Sequence, residues 1–252
     1  MEEYINKLLN SLRIEETDSY KCPKCKDVGY IVVNSVAQKC SCNKGKSQLP
    51  SKFSKVLLKD FNLNYYPDII IDPENSSDTY LSIAKKLVKA AKKLVRDIIE
   101  DKEDIKGLLI EGPVGSGKTH LASGIYNELT SHDIEAVFYV VPEFLDQSKE
   151  DLFAVGEGKG VFNKAKRAKV LILDDLGAHN YTQWSINQLY ALINYRLNNE
   201  LTTIITTNLT LEEIDSLLDQ RIASRITDMC LIHSLAIDRD IRSKKRKNTR
   251  NS

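Results

Sequence analysis

Apolar positions along this chain follow two different periods. Between 80 and 100, Leu81, Ala84, Leu87, Val88, Ala91, Leu94, Val95 and Ile98 recur every three or four residues. That spacing predicts one long amphipathic helix. Its opposite face carries Lys85, Lys86, Lys89, Lys92, Lys93 and Arg96, and such a run is either a solvated surface or a nucleic-acid contact. Residues 1–14 repeat the pattern on a smaller scale, with Ile5, Leu8, Leu9 and Leu12 on one face. From 107 onward the pattern changes. Short continuous apolar runs at 108–110, 136–141, 170–173 and 203–206 alternate with helical stretches at 118–130 and 182–198, and Leu231-Ile232 mark a fifth run. Apolar strands separated by helices predict an α/β fold with a five-stranded parallel sheet buried on both faces.

Composition narrows the class. A chain of 252 residues with 42% hydrophobic positions has room for one or two domains with an ordinary core, without staples. Lys and Arg number 36 against 35 Asp and Glu, a net charge of +1. A globally basic nucleic-acid binder is excluded, so any such contact must be a local patch. No run of 18 apolar residues appears, which predicts no membrane span. The start, MEEYINKLLNSLRIEE, lacks a basic n-region and an apolar h-region, and the expected compartment is the cytoplasm.

Four of the five cysteines, Cys22, Cys25, Cys40 and Cys42, lie close together, spaced C-x2-C and C-x-C. In a cytosolic chain, tight pairs read as metal ligands rather than disulfides. Four thiolates suit tetrahedral Zn²⁺, although free thiols or a redox pair use the same residues. Gly29 and the run Tyr30-Ile31-Val32-Val33 between the pairs predict a small zinc-bound hairpin. Four cysteine ligands would close the zinc shell, so a structural site is expected rather than a catalytic one. Cys230 stands alone in an apolar stretch and is expected to be a small buried hydrophobe. The organisation that follows is an N-terminal helix plus zinc module over 1–48, a linker and leading helix over 49–104, a core over 105–245 and a basic tail over 246–252.

The chemistry concentrates after the first strand of the core. Gly112, Pro113, Val114, Gly115, Ser116, Gly117, Lys118 and Thr119 match G-x4-G-K-[ST], between a predicted strand and a predicted helix, as the motif requires. Glycines there let successive backbone N–H groups turn toward a phosphate at a helix N-terminus. Lys118 can reach the β- and γ-phosphates of a nucleotide, and the Thr119 hydroxyl can ligate Mg²⁺. The run at 170–173 ends in Asp174 and Asp175, at the sheet edge where ligands bind. Asp174 is placed to hold the Mg²⁺ shell. Asp175 is placed to orient or deprotonate an attacking water. Another apolar run ends in Thr206-Thr207-Asn208. An amide at that point can bond the γ-phosphate or the water, and alone it is equally a turn residue.

Five segments carry a more specific likeness. GPVGSGKTHLA (112–122), LILDDLGA (171–178), the helix through Asn194-Tyr195-Arg196, TTIITTNLTLEEI (202–214) and QRIASRITDMC (220–230) occur in this order. Together they resemble the AAA+ ATPases of the bacterial helicase-loader family, the DnaC/DnaI group, and its transposition relative IstB. The resemblance spans about 105–245 and implies a three-layer AAA+ domain. It implies that Asn208 is the first sensor and that Arg225 is an arginine finger acting on ATP held by a neighbouring subunit, with Arg221 as the fallback. It matches Arg242 to a second sensor. His120 agrees with the family in residue type and reads as a packing or capping residue. The cysteine segment is similar to the zinc-binding N-terminal module of loader-like proteins, which contacts the helicase, whereas IstB-type chains usually lack it. The implied function is ATP-dependent loading of a DnaB-type hexameric replicative helicase onto single-stranded DNA, with Mg²⁺, Zn²⁺ and self-association through the ATP site. The alternative is an IstB-like ATPase regulating a transposase. A GTPase is disfavoured, because no N-K-x-D signal is present.

Overall fold

The computed structural model describes residue 24 and residues 30–33, 36–39, 49–74, 76–151, 160–178, 180–237 and 240–241. The predicted helix 1–14, Cys22, Cys25, Cys40, Cys42, His179, Arg242 and the basic tail lie outside the described residues. The chain divides into two compact units, Met1–Lys46 and Ser47–Ser252.

In the first unit, strands β1 (Tyr30–Val33) and β2 (Val36–Lys39) form an antiparallel hairpin pairing Tyr30 with Lys39 and Val33 with Val36. β-branched residues dominate its first strand and a two-residue connection closes it, as the sequence predicts for this segment.

In the second unit, β3 (Gly107–Glu111), β4 (Ala136–Val140), β5 (Val170–Leu176), β6 (Thr202–Thr207) and β7 (Cys230–Ser234) form one sheet in the order β4-β5-β6-β3-β7. Every pairing is parallel. Alternate residues of a strand point to opposite faces, and here both faces are covered. Leu108, Ile110, Ile172 and Ile204 pack on one side with helices α1 (Tyr80–Ile99) and α2 (Lys118–Ser131). Leu109, Leu171, Leu173 and Ile205 pack on the other. That side is closed by α3 (Val141–Asp151), α4 (Val161–Arg167), α5 (Gln183–Asn198), α6 (Leu211–Leu217) and α7 (Gln220–Met229). Three layers result, and the apolar runs are continuous because neither face meets water. Trp184, at the start of α5, packs against this second layer. Among the described residues no helix is long and apolar enough to cross a membrane.

Helix α1 starts where predicted. Thr79 and Ser82 exchange side-chain-to-backbone hydrogen bonds in a capping box, which satisfies the first orphan donors. Of the apolar positions that predict the helix, all are buried except Leu81, which is half-buried, and its six basic side chains are exposed.

Three features depart from the sequence pattern. The run 136–141 ends as a strand at Val140, and Val141 opens α3; Pro142 falls in the first turn of that helix, where no N–H is needed. Strand β5 continues past Leu173 to Leu176, so both carboxylates lie within it. Residues 49–66, which have no period, fold onto α2 through three short 3-10 turns. The Asn127 amide donates to the carbonyls of Phe53 and Val56, at 2.9 and 2.7 Å. Gly124 lets the Leu57-Leu58 backbone lie against α2, since a Cβ there would sit 3.0 Å from the Leu58 nitrogen.

Candidate functional site

The phosphate-binding loop leaves β3 and ends at the first residue of α2. Gly115 and Gly117 have φ of 79° and 102°, a left-handed conformation that side chains disfavour. The loop is pinned from both sides. Tyr66 donates its hydroxyl to the Ser116 carbonyl at 2.5 Å, and the Ile241 N–H donates to the Gly115 carbonyl at 3.2 Å. Burial raises the Tyr66 pKa, so this hydroxyl remains a donor. Within the loop, Ser116 is wholly buried and its Oγ has no hydrogen-bond partner among the described residues.

Lys118 is buried at 6% exposure. Its ammonium donates to the carbonyls of Gly112 and Pro113 at 2.7 and 2.9 Å, and to Asn208 Oδ1 at 2.7 Å. The other side of that amide donates to Asp175 Oδ1 at 3.0 Å. Asn208 therefore bridges the lysine and the second carboxylate, and both contacts fix which way its amide faces.

The two carboxylates are arranged by a β-bulge. The β5–β6 register shifts between Leu173 and Leu176, and Asp175 takes φ of 65°, a region that Asp tolerates better than most side chains. The Thr206 hydroxyl donates to Asp174 Oδ1 at 2.6 Å and accepts from the Asp175 N–H at 3.0 Å. Asp174 is 4% exposed. Burial raises its pKa, hydrogen bonds from Thr206 and Thr119 pull it back, the neighbouring Asp175 charge pushes it up and Lys118 lowers it.

Several of these groups line a cavity of about 590 Å³, a size suited to a small-molecule ligand. Gly115, Gly117, Lys118, Thr119, Asp175 and Asn208 form its polar wall. Phe53, Phe61, Tyr65, Tyr66 and Ile241 form an apolar wall beside it, with Phe61 and Tyr66 stacked at 5.6 Å between ring centroids. His120 also lines the cavity, with its ring 6.2 Å from that of Phe61, which is a packing position. A polar wall for phosphates beside an aromatic wall for a base fits a nucleotide. The buried, unpartnered Ser116 hydroxyl and the inward-turned glycine loop fit the phosphate end. Thr119 and Asp174 in contact supply the hard oxygen donors that Mg²⁺ prefers.

The arginines sit elsewhere. Arg225 donates from Nε to Asn194 Oδ1 at 2.7 Å, with its guanidinium 4.8 Å from the Tyr190 ring centroid. Arg221 stacks on the same ring at 4.6 Å and is held by Asp219 through Nε and a terminal nitrogen. Neither lines the cavity of its own chain. The structure thus brings together the loop 112–119, His120, Asp174, Asp175 and Asn208, and leaves Arg221 and Arg225 apart. Arg242 is outside the described residues, although the preceding Ile241 lines the cavity.

The sequence did not reveal Tyr66, Thr206 or the aromatic wall as parts of the site. The one available signal was the aromatic cluster Phe61, Tyr65 and Tyr66 in an otherwise polar stretch. Cys22, Cys25, Cys40 and Cys42 lie outside the described residues, and among the described residues no group of three or more His, Cys, Asp or Glu is arranged to hold a metal.

Comparison with known proteins follows the same lines. The family model described as IstB-like ATP binding protein matches residues 80–252. The phage-like element PBSX protein XkdC of Bacillus subtilis is 28% identical over 233 residues, covering 85% of this chain and 81% of that protein. The replicative helicase loader DnaI of Bacillus subtilis is 32% identical over 111 residues, 43% of this chain and 35% of the loader, so the shared part is about a third of that relative. Among solved structures, the crystal structure of the DnaC helicase loader superposes with a TM-score of 0.59 at 24% identity, covering 75% of this chain and all of that one. At that identity the likeness shows the fold alone.

Proposed function

The chain belongs to the IstB-like ATP-binding protein family, and from that premise we propose that this ATPase loads a DnaB-type replicative helicase onto single-stranded DNA. The observation that carries the reading is the 32% identity to a replicative helicase loader, joined to a core with every group that phosphoryl transfer needs. Residues 112–119 hold the phosphates. Lys118 exchanges its loop carbonyls for phosphate oxygens. Thr119 and Asp174 would hold Mg²⁺, which supplies charge neutralisation between the phosphates. Asp175 orients a water and accepts its proton. Asn208, already bonded to both Lys118 and Asp175, couples the phosphate end to that base. The aromatic wall takes the base of ATP.

Arg225 acts on a neighbouring subunit's ATP. Arg221 is neutralised by its side-chain hydrogen bonds to the Asp219 carboxylate, whereas Arg225 donates to the uncharged Asn194. The guanidinium that keeps its charge available is the better finger. ATP then gathers loader subunits, their assembly holds the helicase ring open for DNA, and hydrolysis releases them. Arg242 serves as second sensor in this reading.

The N-terminal module supplies the helicase contact, with Cys22, Cys25, Cys40 and Cys42 on Zn²⁺. The hairpin supports this, since β2 ends at Lys39, directly before Cys40 in sequence. The second reading, regulation of a transposase, is favoured by the family description itself. Affinity capture from the source cell with ATP present separates the two. A replicative helicase among the captured proteins supports loading. A transposase without a helicase refutes it.

A further inference from the structure

Helix α1 carries six exposed cations, and they fall into two sets. Lys86 is paired with Asp78 and Lys93 with Asp97. Lys85, Lys89, Lys92 and Arg96 are exposed and have no acidic partner among the described residues. At 100° per residue these four fall within an arc of about 60°, and at 1.5 Å per residue they extend over about 16 Å. They make a single unneutralised stripe along the helix.

The stripe is more than solubility requires. Residues 85 and 89, 89 and 92, and 92 and 96 are like-charged neighbours at i,i+3 or i,i+4, and each such pair opposes the helix. Mixed charges would solvate the face without that opposition. A polyanion laid along the stripe removes it. The length fits about four to five phosphates of one strand at about 3.4 Å per step. At one end, Lys59 joins Lys92 and Arg96 around a shallow groove of about 480 Å³, whose acids are Glu128 and Glu100, the latter paired with Lys102. The apolar side of the helix, including Leu87, Val88, Leu94 and Ile98, is buried in the core. The apolar residues that flank the stripe, Leu81 and Ile99, are half-buried against the core, so no large apolar face is left to enter a lipid layer.

We propose that Lys85, Lys89, Lys92 and Arg96 form a tract that binds the phosphate backbone of nucleic acid. This inference rests on the DNA-binding part of the proposed function and gives that binding a location. It sits on the outer face of the helix that packs against α2, one layer from the nucleotide.

The test is fluorescence anisotropy of the full chain with labelled oligothymidylate and with a labelled duplex, across a salt series. The variant is K85Q/K89Q/K92Q/R96Q, which keeps helix-forming residues and removes four charges. K149Q/K164Q, which removes two exposed lysines on α3 and α4, is the control. For the single strand, four lost phosphate contacts should lower the slope of log affinity against log salt by about 3. That corresponds to an affinity loss of roughly fiftyfold more at 50 mM than at 200 mM salt. Single Gln substitutions should each remove about 0.7 of slope. Whether the single strand or the duplex is favoured identifies the form of the ligand. The control should bind as the wild type does. Circular dichroism and ATP hydrolysis, measured alongside, should be retained. An unchanged slope in the quadruple variant overturns the tract while leaving DNA binding intact. A wild type that binds neither probe overturns both the tract and the DNA-binding part of the function, and helicase capture then reports on loading separately. Binding to anionic vesicles that the quadruple variant loses, with unaltered DNA binding, also overturns it.

Discussion

Replacing Arg196 should damage the core more than any comparably sized change on its helix. The side chain is wholly buried. It donates to Thr203 Oγ1 at 2.9 Å, to the carbonyls of Ala165 and Ala168 at 2.8 Å each, and to the Thr202 carbonyl at 2.6 Å. It thereby ties the end of α4 and the start of β6 to α5. Its charge is balanced by dipoles rather than by a carboxylate, and burial lowers its pKa to about 9. Arg196→Met keeps the length and the apolar stem. It leaves three carbonyls buried without this donor, at about 1–3 kcal/mol each. The released cost of burying a cation offsets part of that. Three such carbonyls give about 3–9 kcal/mol before that offset, so the net expected loss is about 3–5 kcal/mol. In a unit of this size that lowers Tm by roughly 6–20 °C. Arg196→Lys should lie about midway, because one ammonium cannot span four acceptors fixed by a planar fork. Urea unfolding followed by circular dichroism measures all three proteins. A loss below about 1 kcal/mol in Arg196→Met, with unchanged m, would show that the carbonyls find other donors and refute the reasoning.

Three further outcomes are expected. Arg225→Ala should leave ATP affinity unchanged and remove the dependence of hydrolysis on protein concentration; equal turnover per chain in the variant and the wild type at every concentration would exclude a role across subunits. The Asp97 carboxylate, bonded to Lys102 and Lys93, has its pKa lowered from 3.8 to about 2. Its folded value lies below its unfolded one, so its stabilisation is present above about pH 4 and fades toward pH 2; Asp97→Asn should flatten acid unfolding across that window, and an identical acid profile would discount the pairs. Metal analysis should find about one zinc per chain, lost together with helicase capture in Cys22→Ser/Cys25→Ser, and a chelator-free preparation with under half an equivalent would count against the thiolate site.

The sequence revealed those parts of the fold and site whose cause is local. Five apolar runs separated by helices could only be a doubly covered parallel sheet, and the five strands lie where those runs are. The loop 112–119 was legible because its backbone needs glycine at fixed offsets. The burial of Arg196 was illegible because the sequence marks that position only as part of a helix, and the carbonyls it bonds belong to the end of α4, to Ala168 and to the start of β6. Residues 49–66 were illegible because 3-10 turns leave no period. Their burial depends on a glycine and an asparagine seventy residues away.

The carboxylate pair shows how far adjacency in sequence falls short of a site. Successive residues of a regular strand point to opposite faces, so Asp174 and Asp175 on an undistorted β5 would be divided between the two layers. The extra residue of the bulge, taken up by the left-handed turn at Asp175, puts Asp175 on the cavity wall while Asp174 stays buried behind it, bonded to Thr206. Thr206 on β6 holds that distortion by bonding the side chain of one aspartate and the backbone of the other. Lys118 reaches the pair through Asn208, two residues beyond Thr206. One strand end therefore holds Asp174, Asp175 and Lys118 in register, through Thr206 and Asn208. In the proposed mechanism, a nucleotide that draws Lys118 toward its phosphates loosens the Lys118–Asn208 bond and so frees the amide that also bonds Asp175.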